Sequence, residues 1–182
     1  MFGNNDTPGV MLSSAAKEYL KVYGVLVGKN PLIFTNNDSG YETAIEFKKN
    51  GITPIILDTR KYPKSEIIDE AKNLDITIKF SHVVVAAKGY KKVKSADIAK
   101  ISDDKEQLEK VENIKCDCIC VSGFWTPTIH LASQSGNKTK FKEDIDAFVP
   151  GISKQNETTL GAANGIYTLD ETLKSSFETG HK

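Results

Sequence analysis

The sequence predicts an α/β fold built on a mostly parallel sheet, with a β-hairpin inserted among its later strands. Short apolar runs of strand length alternate with amphipathic runs of helix length up to about residue 80. A β-rich stretch is then interrupted by Lys88-Gly89-Tyr90-Lys91, which is typical of a hairpin turn. A further strand ends at Ser122-Gly123. In such sheets ligands bind beyond the carboxyl ends of the strands.

The predicted elements follow one another with recognisable ends. A first helix is expected from Pro8-Gly9 to Gly24, because glycine commonly ends a helix. The next strand, helix and strand, over 32–35, 39–50 and 54–57, have together the size of a compact parallel crossover. The later predicted elements are a helix over 65–74, a strand over 76–80, the hairpin over 82–101, a loop over 103–110, a strand over 116–121 and a helix that starts at 159 and continues through 173.

Length and charge limit the possible functions. A chain of 182 residues holds one domain, or one domain with an appended piece. Lys and Arg number 24 and Asp and Glu also number 24, so neither nucleic acid nor a membrane is expected as a partner. No apolar run approaches the roughly 18 residues of a membrane span, and the first residues do not form a secretory signal. Three bunched cysteines make no disulfide framework and favour a cytoplasmic location.

The turn Thr35-Asn36-Asn37-Asp38-Ser39-Gly40 is the first candidate binding site. A dinucleotide site needs backbone N–H groups at a helix N-terminus and a turn tight enough for a pyrophosphate to approach. Glycine usually forms that turn, and here only Gly40 stands near the place of the third glycine. Asn36 and Asn37 tolerate left-handed geometry, while Asp38 would cap the helix but repel a phosphate. The turn therefore has two interpretations, a dinucleotide site or a capped turn that binds nothing.

Asp58 favours the dinucleotide interpretation. It follows Asp38 by 20 residues, at the end of the second crossover strand, where an acid receives the adenosine ribose hydroxyls of NAD. A carboxylate there disfavours the extra phosphate of NADP, whereas Arg60 would accept it, so the choice of nucleotide stays open. The alternative is a strand-end acid that only faces solvent.

The cysteines at 116, 118 and 120 recur at every second position, which predicts three thiols on one face of a strand. Structural zinc ligands come in pairs from turns, and an extended strand cannot wrap alternate thiols around one ion. We interpret these cysteines as small buried side chains and predict no metal site. The sequence shows no recognisable catalytic triad, so no catalytic residue is predicted.

Several motifs resemble the alpha subunit of heterotetrameric sarcosine oxidase. They occur in the same order over nearly the whole chain, and the Thr-Asn-Asn-Asp-Ser turn and the Trp-x-Pro-x-x-His-Leu-x-Ser-Gln-Ser-Gly run are the most specific. The matching segments are Pro8–Ala15, Phe34–Tyr41, Cys116-Asp117, Val121–Pro127, His130–Gly136 and Phe148–Gly151.

The resemblance implies a part of a longer subunit, namely its Rossmann-like NAD-binding middle domain. The family's subunit is much longer, with a flavin-type fingerprint before this stretch and a folate-related region after it. The implied organisation is a flanking helical segment over 1–30, the NAD-binding domain over 31–126, and over 127–182 a return segment and C-terminal helix of an adjoining flavoprotein-type domain. The expected partners are the other sarcosine oxidase subunits, especially the flavin-bearing beta subunit.

The resemblance also assigns site residues by position. Thr35, Asn36, Asn37, Asp38 and Ser39 would face the phosphates, Asp58 the ribose, with Arg60 beside it, and Gly123 and Phe124 the nicotinamide half. The implied activity is oxidative demethylation of sarcosine to glycine with formation of hydrogen peroxide. NAD is the expected cofactor here, while FAD and FMN belong to the full complex, and the isolated chain is expected to be catalytically silent. One alternative is an assembly module that no longer binds nucleotide. Another is a stand-alone flavin reductase, which the lack of a flavin fingerprint in this sequence disfavours.

Overall fold

The main element of the fold is a five-stranded parallel sheet. Its strands are β1 (Val10–Leu12), β2 (Pro31–Thr35), β3 (Ile55–Asp58), β4 (Thr77–Phe80) and β8 (Cys118–Ser122). They lie side by side in the order β1-β8-β2-β3-β4. The computed structural model describes residues 2–102, 104 and 107–181 and forms two compact units, Met1–Phe124 and Trp125–Lys182. The parallel sheet lies in the first unit, and the mostly parallel α/β fold predicted from the sequence is confirmed.

The central strands are apolar because both faces of this sheet are covered. Ile33 and Ile56 are fully buried in a cluster with residues of three helices. Leu32 and Leu57 are fully buried in a second cluster, on residues of the inserted hairpin. Successive strand residues thus alternate between two cores, and a single run such as that of β2 contributes to both.

The helices of the first unit place Ala16, Ala44 and Ile68 in the cluster around Ile33. These helices are α1 (Ser13–Tyr23), α2 (Ser39–Lys49) and α3 (Glu66–Asn73). The helix α2 joins β2 to β3, and α3 joins β3 to β4, which makes two successive parallel crossovers.

The predicted hairpin is confirmed and belongs to a separate antiparallel sheet. Its strands β5 (His82–Lys88) and β6 (Ser95–Lys100) pair with each other, and β7 (Glu112–Lys115) pairs with β6. The sequence does not predict β7, because only one of its four residues, Ile114, is apolar. The loop predicted over 103–110 includes residues 103, 105 and 106, which lie outside the described part of the chain.

The start of the first predicted helix is wrong. Val10–Leu12 is the strand β1, which pairs in parallel with β8, and α1 begins only at Ser13. Gly9 has a φ of +108°, so the chain turns there before it enters the sheet. The end is as predicted, since Gly24 caps α1 in the left-handed region at a φ of 63°.

The second unit contains short elements and one longer helix. These are α4 (His130–Gln134), the antiparallel pair β9 (Thr139–Lys142) and β10 (Ala147–Pro150), and α5 (Leu169–Gly180). The helix predicted from residue 159 is wrong in its first ten residues, because Gly161 and Gly165 adopt left-handed φ values of 59° and 72°. Whether this unit belongs to an adjoining flavoprotein-type domain stays a prediction, as do the predicted boundaries at 30 and 126.

Candidate functional site

A cavity of about 560 Å³ opens at the carboxyl ends of β2, β3 and β8. Five of the predicted site residues line it, namely Thr35, Asn36, Arg60, Gly123 and Phe124. The remaining lining residues are Phe34, Thr59, Val121 and Ser122. The sequence indicates Ser122 as a strand end, but it does not indicate that Phe34, Thr59 and Val121 line a cavity, because residue type alone does not show which face or end of a strand a side chain serves.

The asparagine turn, residues Thr35–Ser39, is held by the side chain of Asn37. Asn37 Oδ1 accepts hydrogen bonds from the Ser39 backbone N–H at 3.0 Å and from the Ser39 hydroxyl at 2.6 Å. The Asn37 amide nitrogen donates to the carbonyl oxygen of Gly123, at the end of β8. The Ser122 hydroxyl lies 3.2 Å from Asn37 Oδ1 and 2.7 Å from the Ser39 hydroxyl. A neutral hydrogen-bond network therefore links the ends of β2 and β8.

Gly40 allows α2 to approach β2 closely. A Cβ atom at Gly40 would lie 2.6 Å from Cβ and 2.6 Å from Oγ1 of Thr35, closer than real Cβ atoms come. Thr35 itself is buried, and its hydroxyl accepts from the Asn37 N–H at 3.2 Å and donates to the Asn37 carbonyl at 2.8 Å. The third glycine of a dinucleotide-binding turn serves this same close packing of helix and strand.

Asp38 does not cap α2 with its side chain, which corrects the expectation from the sequence. It occupies the N-cap position, but its backbone is helical and its carboxylate makes no capping hydrogen bond. The carboxylate instead forms an ion pair with Arg60, and its Oδ1 atom lies 2.8 Å from Arg60 Nη2. Asn37 takes over the capping role because its Oδ1 reaches the Ser39 N–H.

Asp58 is fully buried and bound by two side chains of the protein. The Tyr41 hydroxyl donates to Asp58 Oδ2 at 2.7 Å. Arg60 donates from Nη2 to Oδ2 at 2.8 Å and from Nε to both carboxylate oxygens at 3.1 and 3.2 Å. The Arg60 backbone N–H also donates to Oδ1 at 2.9 Å. We call Asp38, Tyr41, Asp58 and Arg60 the arginine cluster; Asp58 organises it and does not line the cavity.

Burial and hydrogen bonding shift the pKa values of Tyr41 and Arg60 in this cluster. Burial raises the pKa of the Tyr41 hydroxyl well above its ordinary value, and the hydrogen bond to Asp58 raises it further. Burial by itself lowers the pKa of Arg60, but the hydrogen bonds to Asp58 and Asp38 outweigh it and raise that pKa. Tyr41 thus remains a neutral donor and Arg60 a cation at neutral pH. The sequence gives no signal for Tyr41, whose position on α2 reads as part of an apolar stripe.

The three cysteines are buried and free, but they do not share one face. Cys118 and Cys120 belong to the cluster around Ile33, and Cys116 belongs to the cluster around Leu32. The strand β8 begins only at Cys118, so the alternation does not extend back to Cys116. Burial raises the pKa of the Cys116 thiol to about 12. Among the described residues, no group of three His, Cys, Asp or Glu side chains is placed to hold a metal ion.

Solved structures share the fold of this chain. Thioredoxin reductase from Lactococcus lactis covers 99% of this chain and 59% of its own length, with a TM-score of 0.72 and 13% identity. The T. acidophilum thioredoxin reductase covers 100% of this chain and 62% of its own, with a TM-score of 0.63 and 13% identity. The chain therefore has the Rossmann-like α/β fold of these two reductases.

The sequence is similar to sarcosine oxidase alpha subunits in particular. It is 29% identical to that of Corynebacterium sp. strain P-1 over 182 residues and 33% identical to that of Rhizobium meliloti strain 1021 over 171 residues. These alignments cover 99% and 90% of this chain but only 19% and 16% of the relatives' length. The resemblance predicted from the motifs is confirmed: the chain is similar in sequence to part of the sarcosine oxidase alpha subunit.

No family model matches the sequence. In the part of the chain that the structure describes, no helix is both long and apolar enough to span a bilayer.

Proposed function

We propose that this chain is the NAD-binding part of a sarcosine oxidase alpha subunit. It would act within a complex that demethylates sarcosine oxidatively to glycine and forms hydrogen peroxide. The observation that carries the proposal is the cavity at the carboxyl ends of β2, β3 and β8, in a chain similar in sequence to part of that subunit. Its volume of about 560 Å³ lies within the range of roughly 300–1,000 Å³ that is usual for ligand sites.

The residues fit a dinucleotide at the phosphate end of this cavity. Gly40 lets α2 start against β2, so the positive end of the helix dipole lies beside the strand ends. Thr35 and Asn36 line the cavity there, and Asn37, Asp38 and Ser39 complete the proposed phosphate-facing turn. Gly123 and Phe124, which also line the cavity, are proposed for the nicotinamide half.

The adenosine end requires a different role for Asp58 than the sequence suggests. Its carboxylate is already bound by Tyr41 and Arg60, whereas Arg60 lines the cavity. We therefore propose that Arg60 meets the ribose and that Asp58 positions Arg60. A nicotinamide nucleotide supplies hydride chemistry when it is bound, and the side chains of this chain would bind and orient it. No residue here is proposed to catalyse amine oxidation, and FAD or FMN is proposed for the rest of the complex.

A second candidate function is a structural or assembly module that binds no nucleotide. Two observations favour it: the buried Asp58 already has protein donors on both oxygens, and the Asn37 side chain spans the turn where glycine would leave space. In this case the fold would only dock other subunits.

Calorimetric titration of the chain with NAD and with FAD separates the two candidates. We expect heat of binding with NAD and none with FAD. Gly123→Trp should reduce NAD affinity at least about tenfold, because its backbone has space for a side chain that would enter the cavity. Lys72→Trp, on the exposed face of α3, is the matched control and should leave the affinity unchanged. The absence of NAD binding, or equal affinity of both variants, would favour the assembly module.

The partners and location follow from the same proposal. The other sarcosine oxidase subunits, the flavin-bearing beta subunit among them, are the proposed partners. Three free, buried thiols support a reducing compartment and hence a cytoplasmic location. Co-purification of the full complex from the cytoplasmic fraction tests both points.

A further inference from the structure

The guanidinium of Arg60 lies between two carboxylates at the wall of the cavity. Its Nη2 atom is 2.8 Å from Asp58 Oδ2 and 2.8 Å from Asp38 Oδ1. The two acids approach from different elements, since Asp58 ends β3 and Asp38 precedes α2. Arg60 therefore joins the end of one strand to the beginning of the neighbouring helix.

The donors of Arg60 divide between the protein and the cavity. Hydrogen bonds within the described residues use its Nε and Nη2 atoms. The same bonds leave the two N–H groups of Nη1 as donors for a ligand. A ribose hydroxyl oxygen can accept such a bond, and so can a phosphate oxygen. The geometry of donors alone therefore does not discriminate between the two.

Charge provides the discrimination. Two carboxylates and one guanidinium give Asp38, Asp58 and Arg60 together a net charge of one negative unit. A phosphate monoester carries about −1.5 to −2 charges at neutral pH and would meet net repulsion there, whereas a hydroxyl is neutral. Without the second carboxylate, the remaining pair of Asp58 and Arg60 is neutral, and this net repulsion of the phosphate is absent.

We propose that Asp38 is a specificity determinant that makes this site accept NAD and reject NADP. By neutralising Arg60 together with Asp58, it converts a potential phosphate receptor into a hydrogen-bond donor for the ribose hydroxyl. The proposal rests on the proposed function, because it requires that the cavity takes a dinucleotide.

Asp38 and Asp58 differ in a way that makes the proposal testable. The Asp58 side chain is fully buried, while the Asp38 side chain is 43% exposed. Removal of the Asp38 charge therefore leaves the buried pair of Asp58 and Arg60 in place. The Asp38 side chain makes no capping hydrogen bond, and asparagine has nearly the same size, so Asp38→Asn should fold normally.

Titration calorimetry with NAD and NADP, which differ only in the 2′-phosphate, measures the effect. We expect the parent chain to bind NAD more tightly than NADP. Asp38→Asn should raise the ratio of NADP affinity to NAD affinity about tenfold, as removal of one like charge near the 2′-phosphate implies. Asp38→Asn combined with Arg60→Gln should lose that gain, because the freed guanidinium is then absent.

Glu42→Gln is the matched control. It removes a carboxylate from the first turn of the same helix, where Glu42 pairs with Lys17 and not with Arg60. An unchanged NADP-to-NAD ratio in Asp38→Asn, or an equal gain in Glu42→Gln, would overturn the inference while NAD binding by the parent chain still supports the proposed function. Failure of the parent chain to bind either nucleotide would overturn both.

Discussion

The asparagine turn and the arginine cluster stabilise neighbouring strand ends by different means. In the turn, neutral amide and hydroxyl groups of Asn37, Ser39 and Ser122 exchange hydrogen bonds near the surface. In the cluster, a fully buried carboxylate is bound by a guanidinium and a phenol. A neutral hydrogen bond contributes about 1 kcal/mol, whereas a buried charge that loses its partner costs several times more. The turn should therefore tolerate substitution and the cluster should not.

The replacement of Asp58 by alanine should have the largest effect. It leaves the Tyr41 hydroxyl and the partly buried Arg60 guanidinium without their common acceptor, and we expect the free energy of unfolding to fall by about 3 kcal/mol. Urea denaturation measures this loss. Asp69→Ala, which removes an exposed carboxylate paired with Lys72, should cost less than about 0.5 kcal/mol. Equal losses would show that Asp58 does not hold the cluster together.

Gly40→Ala tests the packing beneath the turn. The new Cβ would lie 2.6 Å from the Thr35 side chain, and overpacking of this kind costs about 1–3 kcal/mol, against a gain of at most about 1 kcal/mol in helix propensity.

Gly123→Ala is the control for Gly40→Ala, because nothing lies within 4 Å of its added Cβ. In thermal unfolding, Gly40→Ala should melt at a lower temperature than the parent chain, and Gly123→Ala should melt at the same temperature as the parent chain. If both variants melt with the parent chain, the close approach of α2 to β2 is not required.

Tyr41 links the cluster to the pH dependence of stability. Its folded pKa is raised by burial and by Asp58, so the unfolded chain releases this proton at about pH 10 while the folded chain retains it. The unfolded state then binds fewer protons, and stability should fall as the pH rises above 10, by up to about 1.4 kcal/mol per pH unit.

Tyr41→Phe removes both the ionisable hydroxyl and its hydrogen bond to Asp58. It should lower the free energy of unfolding at pH 7 by about 1–2 kcal/mol, since Asp58 loses one hydrogen bond. The difference from the parent chain should narrow between pH 9 and 11 in urea denaturation. A constant difference over that range would show that the ionisation of Tyr41 does not cause the loss of stability at high pH.

Asn37→Ala should have the smallest effect, in accord with the neutral character of the turn. Loss of the hydrogen bond from the Ser39 N–H resembles the loss of a helix cap and should cost about 1 kcal/mol. Chemical denaturation measures it. A loss as large as that of Asp58→Ala would remove the contrast between the two regions.

The sequence predicts the positions of the turn and of the acid correctly, because each follows an apolar run whose length and composition are local properties. The interactions of the acid were not predictable. Tyr41 lies 17 residues before Asp58, and its place in an apolar stripe on α2 hides the hydroxyl. The residue type of Asp38 favours a helix cap, whereas in the structure the nearby Arg60 is the stronger, charged partner.

The strand pairings show the same division between local and distant information. The hairpin of β5 and β6 pairs strands that are close in sequence, and the turn residues between them predict it. The strand β1 pairs with β8, whose partner residues lie more than 100 positions later. Its three residues read as the beginning of α1, because nothing local distinguishes a short apolar strand from a helix turn.

The sequence by itself determined the α/β class, the location of the asparagine turn and of Asp58, and the resemblance to the sarcosine oxidase alpha subunit. These depend on residue type and spacing along the chain. Only the tertiary structure decided which charges neutralise Arg60, which core each cysteine enters and which residues line the cavity. The physical reason is that hydrogen bonds and ion pairs form between whichever groups the fold brings within about 3 Å, and that proximity is not encoded in any short segment.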